Sequence, residues 1–357
     1  MAVELIIGPP NSGRTGAILS RFRAAIARDP VLVVPTLDDA ERFEEELTSG
    51  GEAVLGATVC TFDRLFALVA DATGAASVPA ITRVQRRRLA REAVARTTGL
   101  RLLAASARRP GFPDALEELI TDLQSARIDA ETLTARAAEA GEFEREIASL
   151  YASYCRIRDE LGLADPHTLA AEAVASLRAR PDSWGARPVL LYGFDDLTPE
   201  QLELVRELAS AAPVTVALPW EDREILTAAR GELFAELREL PGASVTELAA
   251  DASNTESATL FALERRFGDP PDAHPGEIEN DDGLALLASA GELAEAEAVG
   301  SEIGRLLAAG TPAGEIAVVL RNPNALGPLY RRVFARFGIP CAVQADIQLT
   351  RTLTGRG

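Results

Sequence analysis

The sequence predicts an α/β fold, a parallel sheet covered on its faces by helices, opened by a phosphate-binding loop and interrupted by a helical insertion. Strand-length apolar runs alternate with amphipathic helix-length stretches over residues 5–70, the pattern of β-α-β units. A long stretch, 82–180, then has a helical apolar period throughout before the strand signal returns at Val189. The octapeptide Gly8–Thr15 supplies two glycines where the first strand would meet the first helix.

The elements follow in order. Leu5–Ile7, Val31–Val34 and Thr58–Cys60 read as strands, and Arg14–Ala27, Asp38–Leu47 and Phe62–Ala70 as the helices after them. Pro35 ends the second strand, and Asp38 is the expected N-cap of the helix beyond it. Inside the insertion, Leu116, Leu119, Ile120 and Leu123 share one helical face, and Phe143, Ile147, Leu150, Tyr151 and Tyr154 another. Val189–Tyr192 resumes the sheet, followed by a helix from Pro199 to Leu208 and a strand from Val214 to Leu218.

Residues 249–283 are polar and rich in Pro, Gly, Asp and Asn apart from a helix near Leu260–Phe267. Beyond them, Leu284–Leu287 and Ile316–Leu320 read as strands, and Glu292–Leu307 and Leu329–Phe337 as helices. The organisation expected is a split phosphate-loop domain (1–80 and 181–250), a helical insertion (81–180), a connection (251–283) and a partial second α/β domain (284–357). That last piece is short for a complete sheet domain, which points to a longer parent chain.

A chain of 357 residues that is 47% hydrophobic and 25% charged can bury more than one core. It contains no apolar run of membrane-spanning length, and Met1 leads directly into the first strand; neither a span nor a signal peptide is expected, and the expected location is cytoplasmic. Cys60, Cys155 and Cys341 and the two histidines, His167 and His274, lack metal-ligand spacing. The cysteines are expected as small buried hydrophobes. All 36 basic residues are arginine, which excludes Schiff-base chemistry and any site that needs lysine.

The formal net charge is -18, against general nucleic-acid affinity, which needs concentrated positive charge. One segment departs from this. Arg83, Arg86, Arg87, Arg88, Arg91, Arg96, Arg101, Arg108 and Arg109 are opposed within the run only by Glu92. It reads either as a solvated face paired with acidic neighbours or as a contact for a DNA backbone.

Gly8-Pro9-Pro10-Asn11-Ser12-Gly13-Arg14-Thr15 matches G-x-x-x-x-G-K-[ST] with Arg14 in the lysine position. The flanking glycines let backbone amides wrap a phosphate, the helix N-terminus adds partial positive charge, and Thr15 is placed to ligate magnesium. ATP and magnesium are therefore the expected ligands. Arginine keeps its charge, but its planar fork does not occupy the point-charge position of a lysine. A displacement of about 1 Å in a positioning group costs on the order of a hundredfold in rate.

In order, these pieces resemble the superfamily-one DNA helicases of the P-loop, RecA-like fold. Thr61-Phe62-Asp63-Arg64-Leu65 is similar to their Thr-Phe-His-Ser-Leu segment, which implies Thr61, Phe62 and Arg64 as contacts to single-stranded DNA, with Arg86 and Arg87 from the basic run beside them. Tyr192-Gly193-Phe194-Asp195-Asp196, before Thr198-Pro199-Glu200-Gln201, is similar to their magnesium-and-base motif. Residues 316–321 and 330–340 resemble the start of a second motor domain, with Arg321 at the position that reaches a γ-phosphate. The Leu191–Phe194 form and the Glu-rich 292–297 segment resemble most the AddB branch, the helicase-like and nuclease subunit of bacterial helicase–nucleases that process double-strand breaks. Membership implies single-stranded or duplex-end DNA and a partner subunit as binding partners.

The departures bear on mechanism. The positions of the magnesium-bound aspartate and the catalytic glutamate are Tyr192 and Gly193, and Leu218-Pro219-Trp220-Glu221-Asp222 replaces the next motif with its glutamine. Asp195 and Asp196 remain as catalytic candidates or as an N-cap pair for the Pro199 helix. Three functions stay open: a weakly hydrolysing or non-hydrolysing nucleotide- and DNA-binding module, an active ATPase with substituted residues, and a scaffold for a partner subunit.

Overall fold

The structure is a computed structural model that describes residues 3–343 apart from 50–55, 76–78, 256, 271, 272, 275 and 280. It divides into two compact units, residues 1–256 with 263–276 and residues 257–262 with 277–357. The first holds the sheet. Six strands, β1 (Val3–Gly8), β2 (Val31–Val33), β3 (Thr58–Cys60), β4 (Val189–Tyr192), β5 (Val214–Pro219) and β6 (Ala243–Glu247), pair in the order β3-β2-β4-β5-β1-β6. Every pairing is parallel, a RecA-like α/β arrangement.

Alternation along each strand divides the apolar residues between two faces. Ile6, Leu32, Val34, Leu190 and Ala217 pack under α1 (Arg14–Ala24) and α2 (Leu37–Thr48) through Ile18, Leu19, Phe22 and Phe43. On the other face Leu5, Val33, Leu191 and Val216 meet α3 (Phe62–Thr73) and, from later in the chain, Val174, Leu177 and Leu204. Because the strands are parallel, their carboxyl ends and the loops that follow share one edge, where open α/β sheets place ligands.

Between β3 and β4 the chain forms α4 (Arg83–Arg96), α5 (Phe112–Ser125), α6 (Ala130–Ala138), α7 (Glu142–Glu160) and α8 (Pro166–Ala179). Leu89, Leu116, Ile120, Leu150, Tyr151 and Tyr154 form a core of their own for α4, α5 and α7. Helix α8 does not join them: Ala170, Ala173, Val174 and Leu177 pack on the sheet face. Phe143, expected on the buried face of α7, is 49% exposed. After β4 come α9 (Pro199–Ala211), β5, α10 (Glu224–Arg238), β6 and α11 (Ala258–Arg266).

Two expected caps are corrected. Helix α2 is capped by Thr36 in a reciprocal box with Asp39, not by Asp38, and α9 by Thr198 with Gln201, not by Asp195 or Asp196. A Thr three residues before an acceptor side chain satisfies two orphan amides at once, which a lone aspartate does not.

In the second unit, α12 (Glu292–Ala308) and α13 (Pro323–Arg336) pack through Ala296, Ile303, Tyr330, Val333 and Phe334. The strands expected at Leu284–Leu287 and Ile316–Leu320 are not formed: both segments are irregular, and Leu286 and Val319 are 94% and 93% exposed. A strand exists only through pairing, and no ladder reaches either segment among the described residues. Cys60 is buried as expected, Cys155 is half-buried and Cys341 is exposed.

Candidate functional site

The end of β1 is built for close backbone approach. A Cβ on Gly8 would lie 2.6 Å from both the Leu248 carbonyl oxygen and Ser12 Oγ, so only glycine fits. Asn11 (φ 56) and Gly13 (φ 82) then take left-handed conformations that turn the chain into α1. Gly13 is the N-cap and supplies no side chain, leaving the first-turn amides of α1 uncapped with the partial positive charge of the helix end. Pro10, Asn11 and Gly13 are exposed, so the loop is open to solvent.

Two groups here have no hydrogen-bond partner although buried, Ser12 Oγ and Arg14 Nε. Burial lowers the pKa of the Arg14 guanidinium, and nearby Arg230 acts in the same direction; Tyr192 and Glu264 oppose them. A half-buried cation without a bonded anion, beside uncapped helix amides, has the chemistry of a phosphate cradle. These residues fit phosphate.

They do not fit magnesium. Thr15 Oγ1, the expected ligand, is 2.6 Å from the hydroxyl of Tyr192. Strands β1 and β4 are separated by β5, a gap of about 10 Å at ordinary strand spacing. Helix α1 lies over this face of the sheet, with Tyr192 packed against the same cluster as Ala17 and Ile18, and the phenol reaches up to Thr15 from below. Its ring is held edge-on by Phe43 at 5.3 Å. Magnesium in a phosphate site is held by one or two carboxylates together with phosphate oxygens and waters, and β4 ends in Tyr192, followed by Gly193, neither of which is a carboxylate; among the described residues no group of three His, Cys, Asp or Glu could hold a metal. The cavity beside the bond, about 110 Å³ and flanked by Thr15, Asp39 and Tyr192, is smaller than the roughly 300 Å³ that begins the range of ligand pockets.

The other sequence candidates are dispersed. Asp195 is ion-paired with Arg230, and Asp196 is exposed beside it, which leaves no carboxylate facing the loop from β4. Arg321 is exposed in the second unit. Thr61 and Arg64 lie at the carboxyl end of β3 and on the first turn of α3, Arg64 exposed. Phe62, expected to contact DNA, is 4% exposed and packs edge-on against Phe194 at 5.0 Å; it is a core ring with no face for a base. Arg86 turns inward toward Thr121 Oγ1 at 3.5 Å, and Arg87 pairs with Asp114 at 3.2 Å. In that run the exposed arginines without an ion pair among the described residues are Arg88, Arg91, Arg108 and Arg109; the side chain of Arg83 lies outside the described ones.

Sequence reading missed a contact from far along the chain. Glu264, on α11, accepts a hydrogen bond from Asn11 Nδ2 at 2.7 Å. The segment that carries it is tied to the loop after β5: Arg223 donates to the Phe267 carbonyl at 2.7 Å and to Asp269 at 2.9 Å, and Arg265 pairs with Glu221. Glu221 thus anchors this segment, and Trp220 stacks on Phe234 with centroids 4.4 Å apart.

The family described as ADDB, N-terminal, matches residues 5–271. An ATP-dependent helicase/deoxyribonuclease subunit from Desulforudis audaxviator is 29% identical over 96% of this chain and 32% of its own length. The protein of the same name from Desulfitobacterium hafniense (strain DSM 10664 / DCB-2) is 30% identical over 82% of the chain and 26% of its length. That of Geobacillus thermodenitrificans is 26% identical over 95% and 32%. The chain spans about a third of the length of these relatives. No helix among the described residues is long and apolar enough to cross a membrane.

Proposed function

The chain belongs to the ADDB N-terminal family, and from that premise we propose that it is the helicase-like module of a DNA-repair helicase–nuclease, holding nucleotide phosphates without hydrolysing them and contacting single-stranded DNA. The observation that carries the first part is the 2.6 Å contact between Thr15 and Tyr192. Where a motor of this fold requires a carboxylate to bind metal, this chain places a phenol and uses it to engage the very hydroxyl the metal would need. The next position, Gly193, has no side chain with which to orient water. Loss of a general base alone costs about 10² to 10⁴ in rate.

Nucleotide binding is supported separately, by the open loop, the uncapped amides of α1 and the unbonded Arg14. The DNA role is supported by the unpaired arginines and by Arg64. The names of the relatives, each that of one subunit of a helicase/deoxyribonuclease, support assembly with a second polypeptide. Phosphate release by the purified chain, with and without single-stranded oligonucleotide, tests the hydrolytic part. The expected rate equals that of a Thr15→Ala control. Turnover that oligonucleotide stimulates and Thr15→Ala abolishes would replace this reading with an active ATPase.

A further inference from the structure

We propose that Glu264 is a built-in competitor for the phosphate loop, and that nucleotide occupies the site only by displacing the stretch around it, residues 263–270. The inference rests on the nucleotide-binding reading and adds its regulation.

Asn11 stands between the two glycines of the loop, and its side-chain amide already donates to Glu264 Oε2 at 2.7 Å. The other carboxylate oxygen, Oε1, is buried with no partner, a costly state for a charged group. Glu264 is the carboxylate felt by the Arg14 guanidinium, without a bond between them. A dry anionic oxygen and a half-buried cation therefore share the mouth of the loop, each incompletely satisfied. An incoming phosphate would serve Arg14, Ser12 Oγ and the helix amides, but it would meet the charge of Glu264. The two anions exclude one another electrostatically.

The segment is built to hold the carboxylate there and to be released as a piece. Its anchors are two arginines: Arg223 donates to the carbonyl of Glu264 at 3.4 Å as well as to Phe267 and Asp269, and Arg265 pairs with Glu221. His274 adds a contact to Asp269 at 2.7 Å. Gly268 (φ 83) lets the turn sit flat on Ile225, whose Cδ1 would lie 2.1 Å from an added Cβ. These contacts join a loop and a helix end rather than strands, so they open without unfolding the sheet.

Calorimetric titration of the full chain with ADP, and separately with inorganic pyrophosphate, tests the proposal on wild type, Glu264→Gln and Arg223→Gln. Glu264→Gln keeps the shape and removes the charge, and is expected to bind both probes about tenfold more tightly than wild type, the order expected for removing one like charge near a phosphate at a protein surface. Arg223→Gln keeps the charge of Glu264 and loosens the segment, and is expected to tighten binding in the same direction, its fold checked by circular dichroism. ADP should also raise trypsin cleavage after Arg265 and Arg266. Equal affinities in all three proteins, or cleavage unchanged by ADP that demonstrably binds, would overturn the competitor and leave nucleotide binding standing. No heat of binding in any of the three would remove the nucleotide reading and the competitor together.

Discussion

Asp165 is fully buried, and its carboxylate accepts hydrogen bonds from Tyr154 Oη at 3.0 Å, Gln124 Nε2 at 2.7 Å and Arg158 Nη1 at 2.5 Å. It joins the core of the helical block to α8, which it immediately precedes. Burial raises the pKa of Tyr154, and the charge of Asp165 raises it further; the phenol remains a donor. Asp165→Ala would leave Tyr154 Oη and Gln124 Nε2 without their acceptor and Arg158 with only the exposed Asp159 as a partner, so a loss of about 3 kcal/mol, the low end for breaking a buried ion pair, is expected from urea denaturation. Asp165→Asn, which keeps an acceptor, should lose less. Equal effects of the two would show that the lost charge, and not the lost acceptor, sets the cost. Such residues were not legible in the sequence. Glu146 makes the same point: it accepts from the amides of Arg101, Leu102 and Leu103 at 2.6, 2.9 and 2.8 Å. A glutamate in an amphipathic helix reads as a solvated face, and its partners here lie on a loop more than forty residues away. Thr15 and Tyr192 differ in degree: sequence position marked Tyr192 as the wrong residue for metal, but only the spatial order of the strands shows what it does instead.

Helix α1, which presents the loop, is fastened to the sheet by the Thr15–Tyr192 contact at its start and by an ion pair further along. Glu4 on β1 accepts from Arg21 Nε at 2.7 Å and from Thr246 Oγ1 on β6 at 3.0 Å. The Arg21 hydrogen bond lowers the pKa of Glu4 below its ordinary 4.5, against burial, which raises it. With the folded-state value below the unfolded one, the contact contributes fully above the unfolded value and is lost as pH falls through the folded value. Unfolding midpoints from pH 7 to pH 3 should therefore fall less steeply for Glu4→Gln than for wild type, with the difference confined to the acid end; parallel curves would contradict the assignment. The elements themselves were legible where burial is two-sided. Strands β1 to β5 are nearly continuous apolar runs and were placed to within two residues. β6 was missed because it pairs only with β1 and carries Ser244, Thr246 and Glu247 on an edge. The expected strands at 284–287 and 316–320 failed for the opposite reason: apolar composition satisfies the pattern without supplying the partner that a ladder requires.

At the scale of the whole molecule, a chain with net charge -18 repels DNA except where cations stand unneutralised. The arginine run contains both kinds. Arg87 is matched to Asp114, Arg96 to Glu92 at 2.7 Å and Glu160 at 3.1 Å, and Arg101 to Glu142 at 3.4 Å; these have their counterions inside the protein and release none on binding a phosphate. Arg88 and Arg91, three residues apart on α4 and exposed, lie on one helix face and retain mobile counterions. If this face carries the DNA contact, each neutralised phosphate lowers the logarithm of affinity by about 0.7 per decade of salt for a single strand. Fluorescence anisotropy with a single-stranded oligonucleotide at several salt concentrations should then show a shallower slope for the double variant Arg88→Ala, Arg91→Ala, reduced by about 1.4 if both contact phosphates. Arg87→Ala should leave the slope unchanged, because the residue it removes is already neutralised by Asp114. A slope that moves with Arg87 and not with Arg88 and Arg91 would transfer the DNA contact off this face, leaving Arg64 at the carboxyl edge of the sheet as the next residue to test.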